Sequence, residues 1–243
     1  MIELRDFSIG YGSRQLLAGV STRFPGGCLT ALIGRNGSGK STLLRAIAGL
    51  NPRYQGDILI DGQNLRSLSA PQLARRVAFV NTERTRIPNL RCRDVVAIGR
   101  APYTNWIGRM QETDREAVES ALEAVGMADY AGRTMDTMSD GECQRVMIAR
   151  ALAQDTPTIL LDEPTSFLDI PNRYELVNLL LSLAHDRGKC ILFSTHELPL
   201  ALELCDSIAL ILPPALHNLP APEMGASPLL ATLRPTPPVS LRP

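Results

Sequence analysis

The eight residues Gly34-Arg35-Asn36-Gly37-Ser38-Gly39-Lys40-Ser41 constrain this chain more than any other segment. They match G-x4-G-K-S in the context that pattern requires. Before them, Cys28-Leu29-Thr30-Ala31-Leu32-Ile33 reads as a short buried strand. After them, Leu43, Leu44, Ile47 and Ala48 fall at helical spacing until Gly49 and Pro52. Glycines let the backbone curl so that successive N–H groups point at phosphate oxygens, and the helix N-terminus adds partial positive charge. Lys40 can then reach the β- and γ-phosphates, and the Ser41 hydroxyl can ligate Mg2+. The candidate nucleotide-binding set is Gly34, Asn36, Gly37, Ser38, Gly39, Lys40, Ser41 and Thr42. A glycine-rich turn that merely starts a helix is the alternative, and the full spacing in this context disfavours it.

The chain has 243 residues, enough for one large domain or two small ones at roughly 150 residues each. Lys+Arg and Asp+Glu are both 25, so the formal charge is zero. That balance argues against a dedicated nucleic-acid binder, which usually shows a basic excess. No apolar run approaches the ~18 residues needed to span a bilayer, so membrane association has to come through a partner. Met1-Ile2-Glu3-Leu4-Arg5-Asp6 has early acids and no apolar core, unlike a signal peptide. Cys28, Cys92, Cys143, Cys190 and Cys205 form no C-x-x-C pair and read as reduced thiols of a cytosolic protein.

Residues 1–33 read as β-rich, 56–62 as a strand closing on an Asp-Gly turn, and Val77-Ala78-Phe79-Val80 as another strand. From 83 to 155 the pattern turns helical. Thr113-Asp114-Arg115-Glu116 fits a capping box ahead of Ala117, Val118, Ala121, Leu122 and Val125, and Gly126 stops that helix. Apolar strands return at Ile159–Leu161, Cys190–Ser194 and Ile208–Leu212. A helix at about 172–186 shares Leu176, Val177, Leu180, Leu183 and Ala184 on one face. Buried strands alternating with helices predict a mostly parallel α/β sheet. Nine of the 18 prolines lie in residues 213–243, and this tail is expected to be irregular.

Thr158-Ile159-Leu160-Leu161-Asp162-Glu163 is an apolar strand closing on two acids. Asp162 suits a carboxylate that holds Mg2+ through water, and Glu163 could orient and deprotonate an attacking water. Acids after an apolar strand also occur as plain turn residues; the glycine loop upstream gives these two their meaning. No Asn-Lys-x-Asp guanine reader is present, which argues against a GTPase. Ser139-Asp140-Gly141-Glu142 precedes the helical run Val146-Met147-Ile148-Ala149-Arg150-Ala151-Leu152. By itself Ser139-x-x-Glu142 is a capping box.

Taken with the glycine loop and the acid pair, this segment resembles the signature motif of ABC-type ATPases, usually written Leu-Ser-Gly-Gly-Gln. The resemblance runs over about residues 2–212. It implies an α/β P-loop NTPase of the RecA-like type, with an inserted helical subdomain and a small N-terminal antiparallel β part. The core would take residues 1–82 and 156–212, the helical signature subdomain 83–155, and the Pro-rich tail 213–243. The resemblance further implies that Tyr11 stacks on adenine and that Ser166-Phe167-Leu168-Asp169 crosses a dimer interface. His196, in Ser194-Thr195-His196-Glu197, would contact the γ-phosphate. Ser139, Gly141 and Glu142 of one copy would close the nucleotide site of another. The catalytic set is then Glu163, His196 and Lys40, and the Mg2+ set is Ser41 and Asp162. Three departures stand out: Asp140 replaces a glycine, Thr82 stands where a metal-binding glutamine is usual with Glu83 beside it, and the tail looks altered. Thr82 and Glu83 are therefore candidate Mg2+ ligands.

Ile98-Gly99-Arg100-Ala101-Pro102-Tyr103 resembles a stretch of the ATPases that serve importers of ferric siderophores, haem and cobalamin. Tyr103 and Trp106 either contact a membrane subunit or pack in the core of the lobe. The resemblance implies ATP and Mg2+ as ligands and a head-to-tail dimer of two copies. It also implies integral-membrane permease partners, an indirect solute-binding protein, no nucleic acid, and a place at the cytoplasmic face of the inner membrane. An ATPase of another importer and a non-hydrolysing nucleotide-binding scaffold are the alternatives.

Overall fold

The computed structural model describes residues 1–12, 14–82, 88–104 and 109–233. Strands β1 (Ile2–Tyr11) and β2 (Arg14–Phe24) run antiparallel, and β3 (Cys28–Gly34) leads into helix α1 (Lys40–Ile47). Next come β4 (Tyr54–Ile60), β5 (Gln63–Asn64), α2 (Ala70–Ala74) and β6 (Val77–Val80). A helical stretch follows with α3 (Cys92–Ala97), α4 (Glu112–Ala124) and α5 (Asp140–Ala153). The chain then alternates through β7 (Thr158–Leu161), α6 (Ile170–Arg187), β8 (Cys190–Ser194), α7 (Leu198–Leu204) and β9 (Ser207–Leu212). It closes with β10 (Ala215–Pro220) and α8 (Ala221–Ala226).

Two sheets result. One is antiparallel, in the order β2-β1-β4-β5. The other runs β10-β9-β3-β8-β7-β6 and is parallel except at the β10–β9 edge. β8 lies between β3 and β7, so the glycine loop after β3 and the acid pair after β7 both open at the carboxyl ends of the strands. In open α/β sheets that edge is where ligands bind.

The continuous apolar runs are explained by burial on both faces. Leu29, Ala31 and Ile33 of β3 point into one core together with Ile159, Leu161, Ile191, Phe193, Ile208 and Leu210. Leu32, Leu160, Leu192, Ala209 and Ile211 point the other way, against α1 and the antiparallel sheet. The first core continues without interruption into the helical stretch through Val95, Val96, Val118, Leu122, Val146 and Ile148. Polar ties reinforce this junction: Gln154 Nε2 donates to the Val77 carbonyl at 3.1 Å and Arg75 Nε to that of Pro102 at 2.9 Å. Gly99 allows the closest approach, since a Cβ there would stand 2.2 Å from the Arg150 carbonyl.

Two local expectations are corrected. Helix α4 begins at Glu112 and is not capped by Thr113. Instead, Asp114 Oδ2 accepts the Gln111 N–H at 2.9 Å while Asp114 Oδ1 accepts Arg100 Nε at 2.9 Å. A buried ion pair fixes Asp114, and the helix start follows it. Helix α6 begins two residues before 172, because Asp169 caps it by accepting the Asn172 N–H at 3.2 Å.

The tail is ordered through Leu233. β10 pairs with β9 at all six positions, Ala221 and Met224 are buried, and a 3-10 turn spans Pro228–Leu233. Its prolines stand where no ladder donor is required. Pro213 and Pro214 join the strands, Pro220 ends an edge strand, Pro222 sits in the first turn of α8 and Pro228 opens the 3-10 turn. Residues 234–243 lie outside the described residues.

Candidate functional site: a nucleotide cleft at the strand ends

Gly34 ends β3 in close contact with its neighbours. A Cβ there would stand 2.5 Å from Ser38 Oγ and 3.0 Å from the Ile211 carbonyl. Gly39 caps α1 at φ 109°, a conformation closed to L side chains. Lys40 is 6% exposed, and its Nζ donates to the Gly34 carbonyl at 3.0 Å, so the ammonium lies across the loop. Burial pushes the Lys40 pKa down, against the pull of the Glu163 and Asp162 carboxylates.

Beside it, Ser41 Oγ donates to Asp162 Oδ1 at 3.0 Å and Ser194 Oγ donates to the same oxygen at 2.7 Å. Asp162 is 2% exposed, and these hydroxyls satisfy a carboxylate oxygen that burial would otherwise penalise. Thr82 Oγ1 donates to the Asp162 carbonyl at 3.0 Å, so this hydroxyl braces the backbone of the acid pair. Glu163 sits at φ 51°, its N–H donating to Ser194 Oγ at 2.8 Å. That backbone turns its carboxylate toward the loop. Glu163 Oε1 lies 2.6 Å from His196 Nε2, and Oε2 accepts Ser166 Oγ at 3.2 Å.

A cavity of about 470 Å³ opens over these groups, lined by Tyr11, Asn36, Gly37, Lys40, Ser41 and Glu163 among others. Tyr11 is 60% exposed at its mouth, with its hydroxyl 3.4 Å from Thr42 Oγ1. The structure thus brings together the loop, Tyr11, Thr42, Asp162, Glu163, His196 and Thr82. Ser139, Gly141 and Glu142 stand apart, at the start of α5. There Ser139 N–H donates to Glu142 Oε2 at 2.7 Å and Glu142 N–H to Ser139 Oγ at 3.2 Å. The Ser139 bonds hold the Glu142 carboxyl below its ordinary pKa. Gly141 backs onto 167–168, since a Cβ there would come within 3.3 Å of the Phe167 carbonyl.

Tyr103 is half-buried, its ring centroid 4.1 Å from the Arg100 guanidinium carbon and 5.5 Å from that of Arg75. That stacking accounts for the ring within the chain. Glu83 and Trp106 lie outside the described residues. Two participants escaped sequence reading: Ser194, a hydroxyl at the end of an apolar strand, and Arg14, on the far side of the loop.

The donors facing Lys40 are oxygens only, and no cluster of three His, Cys, Asp or Glu forms a metal site among the described residues. One serine hydroxyl and one carboxylate fit a hard cation that keeps its remaining positions for phosphate and water.

Such a fold and cleft define a P-loop nucleotide hydrolase of the α/β class. The family profile described as ABC transporter matches residues 17–166, and the chain belongs to that family as its ATP-binding, ATP-hydrolysing subunit. It is 40% identical to an uncharacterised ABC transporter ATP-binding protein of Methanocaldococcus jannaschii, over 87% of this chain and 73% of that one. It is 36% identical to an achromobactin transport ATP-binding protein of Dickeya dadantii, over 93% and 82%. A petrobactin import ATP-binding protein of Bacillus anthracis is 38% identical over 86% and 77%. Among solved structures, a dimeric ATP-binding cassette holding ADP and phosphate after hydrolysis matches with a TM-score of 0.79. It is 26% identical, over 91% of this chain and 99% of that one.

Proposed function

We propose that this chain powers uptake of an iron chelate, haem or cobalamin-type substrate by hydrolysing ATP in the cleft above Lys40. The observation that carries the chemistry is that Lys40, Ser41 and Glu163 line one cavity, with Asp162 bonded to Ser41 and His196 to Glu163 behind them. The cargo class is supported by relatives named for achromobactin transport and petrobactin import.

Lys40 exchanges the Gly34 carbonyl for the β- and γ-phosphate oxygens as ATP enters. Ser41 and Asp162 would hold Mg2+, which neutralises phosphate charge when bound. His196 leaves Glu163 and turns its ring toward the γ-phosphate. Glu163 then takes a proton from water as the water oxygen attacks the γ-phosphorus; the bond to the β-bridging oxygen breaks, yielding ADP and phosphate. Lys40 and His196 stabilise the charge that develops.

Ser139, at the N-terminal end of α5, closes the site of a second copy in a head-to-tail dimer, and 166–169 lies along the same interface. Among the described residues no helix is long and apolar enough to cross a membrane. The work therefore passes to permease subunits docked near residues 81–110 at the cytoplasmic face of the inner membrane, with a solute-binding protein acting on the far side. Cells lacking this chain should lose uptake of one labelled ferric siderophore, haem or cobalamin, and wild-type protein should restore it while Glu163→Gln should not. Unchanged uptake of all three would overturn the cargo assignment.

A further inference from the structure

We propose that Arg14 is a positioning residue for the nucleotide, holding the glycine loop in its phosphate-binding curl from the neighbouring strand. Residues 14 and 16 lie on one face of β2, as strand alternation requires. Both reach the loop, at alternate glycines. Arg14 Nη2 donates to the Gly37 carbonyl at 2.9 Å. Leu16, 4% exposed, lies beneath Gly39, where a Cβ would come within 3.3 Å of the Leu16 Cβ. Tyr11 is the register partner of Arg14, and its hydroxyl lies 3.4 Å from Thr42 Oγ1. The end of the β1–β2 pair therefore touches the loop and its helix at three points. Of these, only Arg14 grips the loop's main chain by a directed bond.

That grip matters because Gly37 stands at φ 71° and has no side chain to define its peptide plane. A glycine loop loses more conformational freedom on ordering than any other sequence. A ligand that meets the loop already ordered avoids that cost. Arg14 also lines the cavity itself, so its positive charge stands beside a site for a polyanion. No step of the hydrolysis requires Arg14 to touch the reacting atoms. The inference rests on the reading of this cavity as the ATP site.

The test compares full-length wild type, Arg14→Ala, Arg14→Gln and Arg14→Lys. It measures ATP and ADP affinity by calorimetry, steady-state hydrolysis, and amide hydrogen exchange over residues 35–41 without nucleotide. Arg14→Ala should weaken ATP and ADP alike by about five- to twentyfold, the effect expected of one charged hydrogen bond. Most of the loss in kcat/KM should fall on KM, and exchange at 36–39 should quicken. Arg14→Lys keeps a donor for the carbonyl and should bind within about threefold of wild type. Should the alanine variant misfold, Arg14→Gln carries the same comparison, with the nucleotide-free melting temperature as control. Unchanged affinity in a folded variant, loss confined to kcat, or unaltered exchange would each overturn the proposal. Absence of ATP binding by wild type would instead overturn the site assignment.

Discussion

At the scale of single residues, the cleft is a set of polar groups that satisfy one another until nucleotide arrives. His196 and Ser166 occupy both oxygens of Glu163, and Gly34 occupies Lys40. Glu163→Gln removes the proposed proton acceptor and keeps its shape. Hydrolysis should fall by about 10²–10⁴-fold, the usual reach of a general base, while ATP affinity persists. Phosphate release and calorimetry on the same preparation check both halves, and unchanged turnover would remove Glu163 as the base. The gathering of Lys40, Ser41, Asp162 and Glu163 at one cleft was legible in the sequence because fixed spacing next to apolar strands carries their placement. Ser194 and Arg14 were not. A serine at a strand end and an arginine near a turn look like any others until the fold sets them 2.7 Å from Asp162 and 2.9 Å from Gly37.

At the scale of elements, local signals gave the strands and helices, while boundaries yielded to tertiary contacts. The start of α4 shows why. Asp114 is 3% exposed; the Gln111 N–H first, and the Arg100 guanidinium beside it, hold its carboxyl below the ordinary aspartate value. No local pattern announces a partner 14 residues upstream. Asp114→Asn leaves Arg100 buried without its counter-charge and should cost about 3 kcal/mol, read as a lower urea midpoint at pH 7. The lowered folded-state pKa gives this contribution its sign. It is fully present above the unfolded value near 4 and is lost as pH falls through the folded one. The gap between wild type and variant should therefore narrow in acid, and a gap independent of pH would show that the pair is not ionic.

At the scale of the whole molecule, proline density alone predicts an irregular tail, whereas the positions of the prolines permit the ordered one observed. Placed at turns, at a strand end and in first helical turns, the prolines punctuate an ordered edge. Deleting residues 213–243 strips β10 from β9 and uncovers the contacts of Met224, which is fully buried. The shortened chain should melt several degrees lower, as expected for a loss of about 2–4 kcal/mol in a chain of this size. Its exposed β9 edge should promote association. Calorimetric scanning with light scattering checks both, and an unchanged melting temperature would show the tail to be dispensable.

The unbroken apolar cluster that joins the central sheet to α3, α4 and α5 has a mechanical consequence. A close-packed interior slides between discrete arrangements more readily than it stretches. The helical portion is therefore expected to shift as a stiff unit when the groups beside the acid pair rearrange, and not to deform within itself.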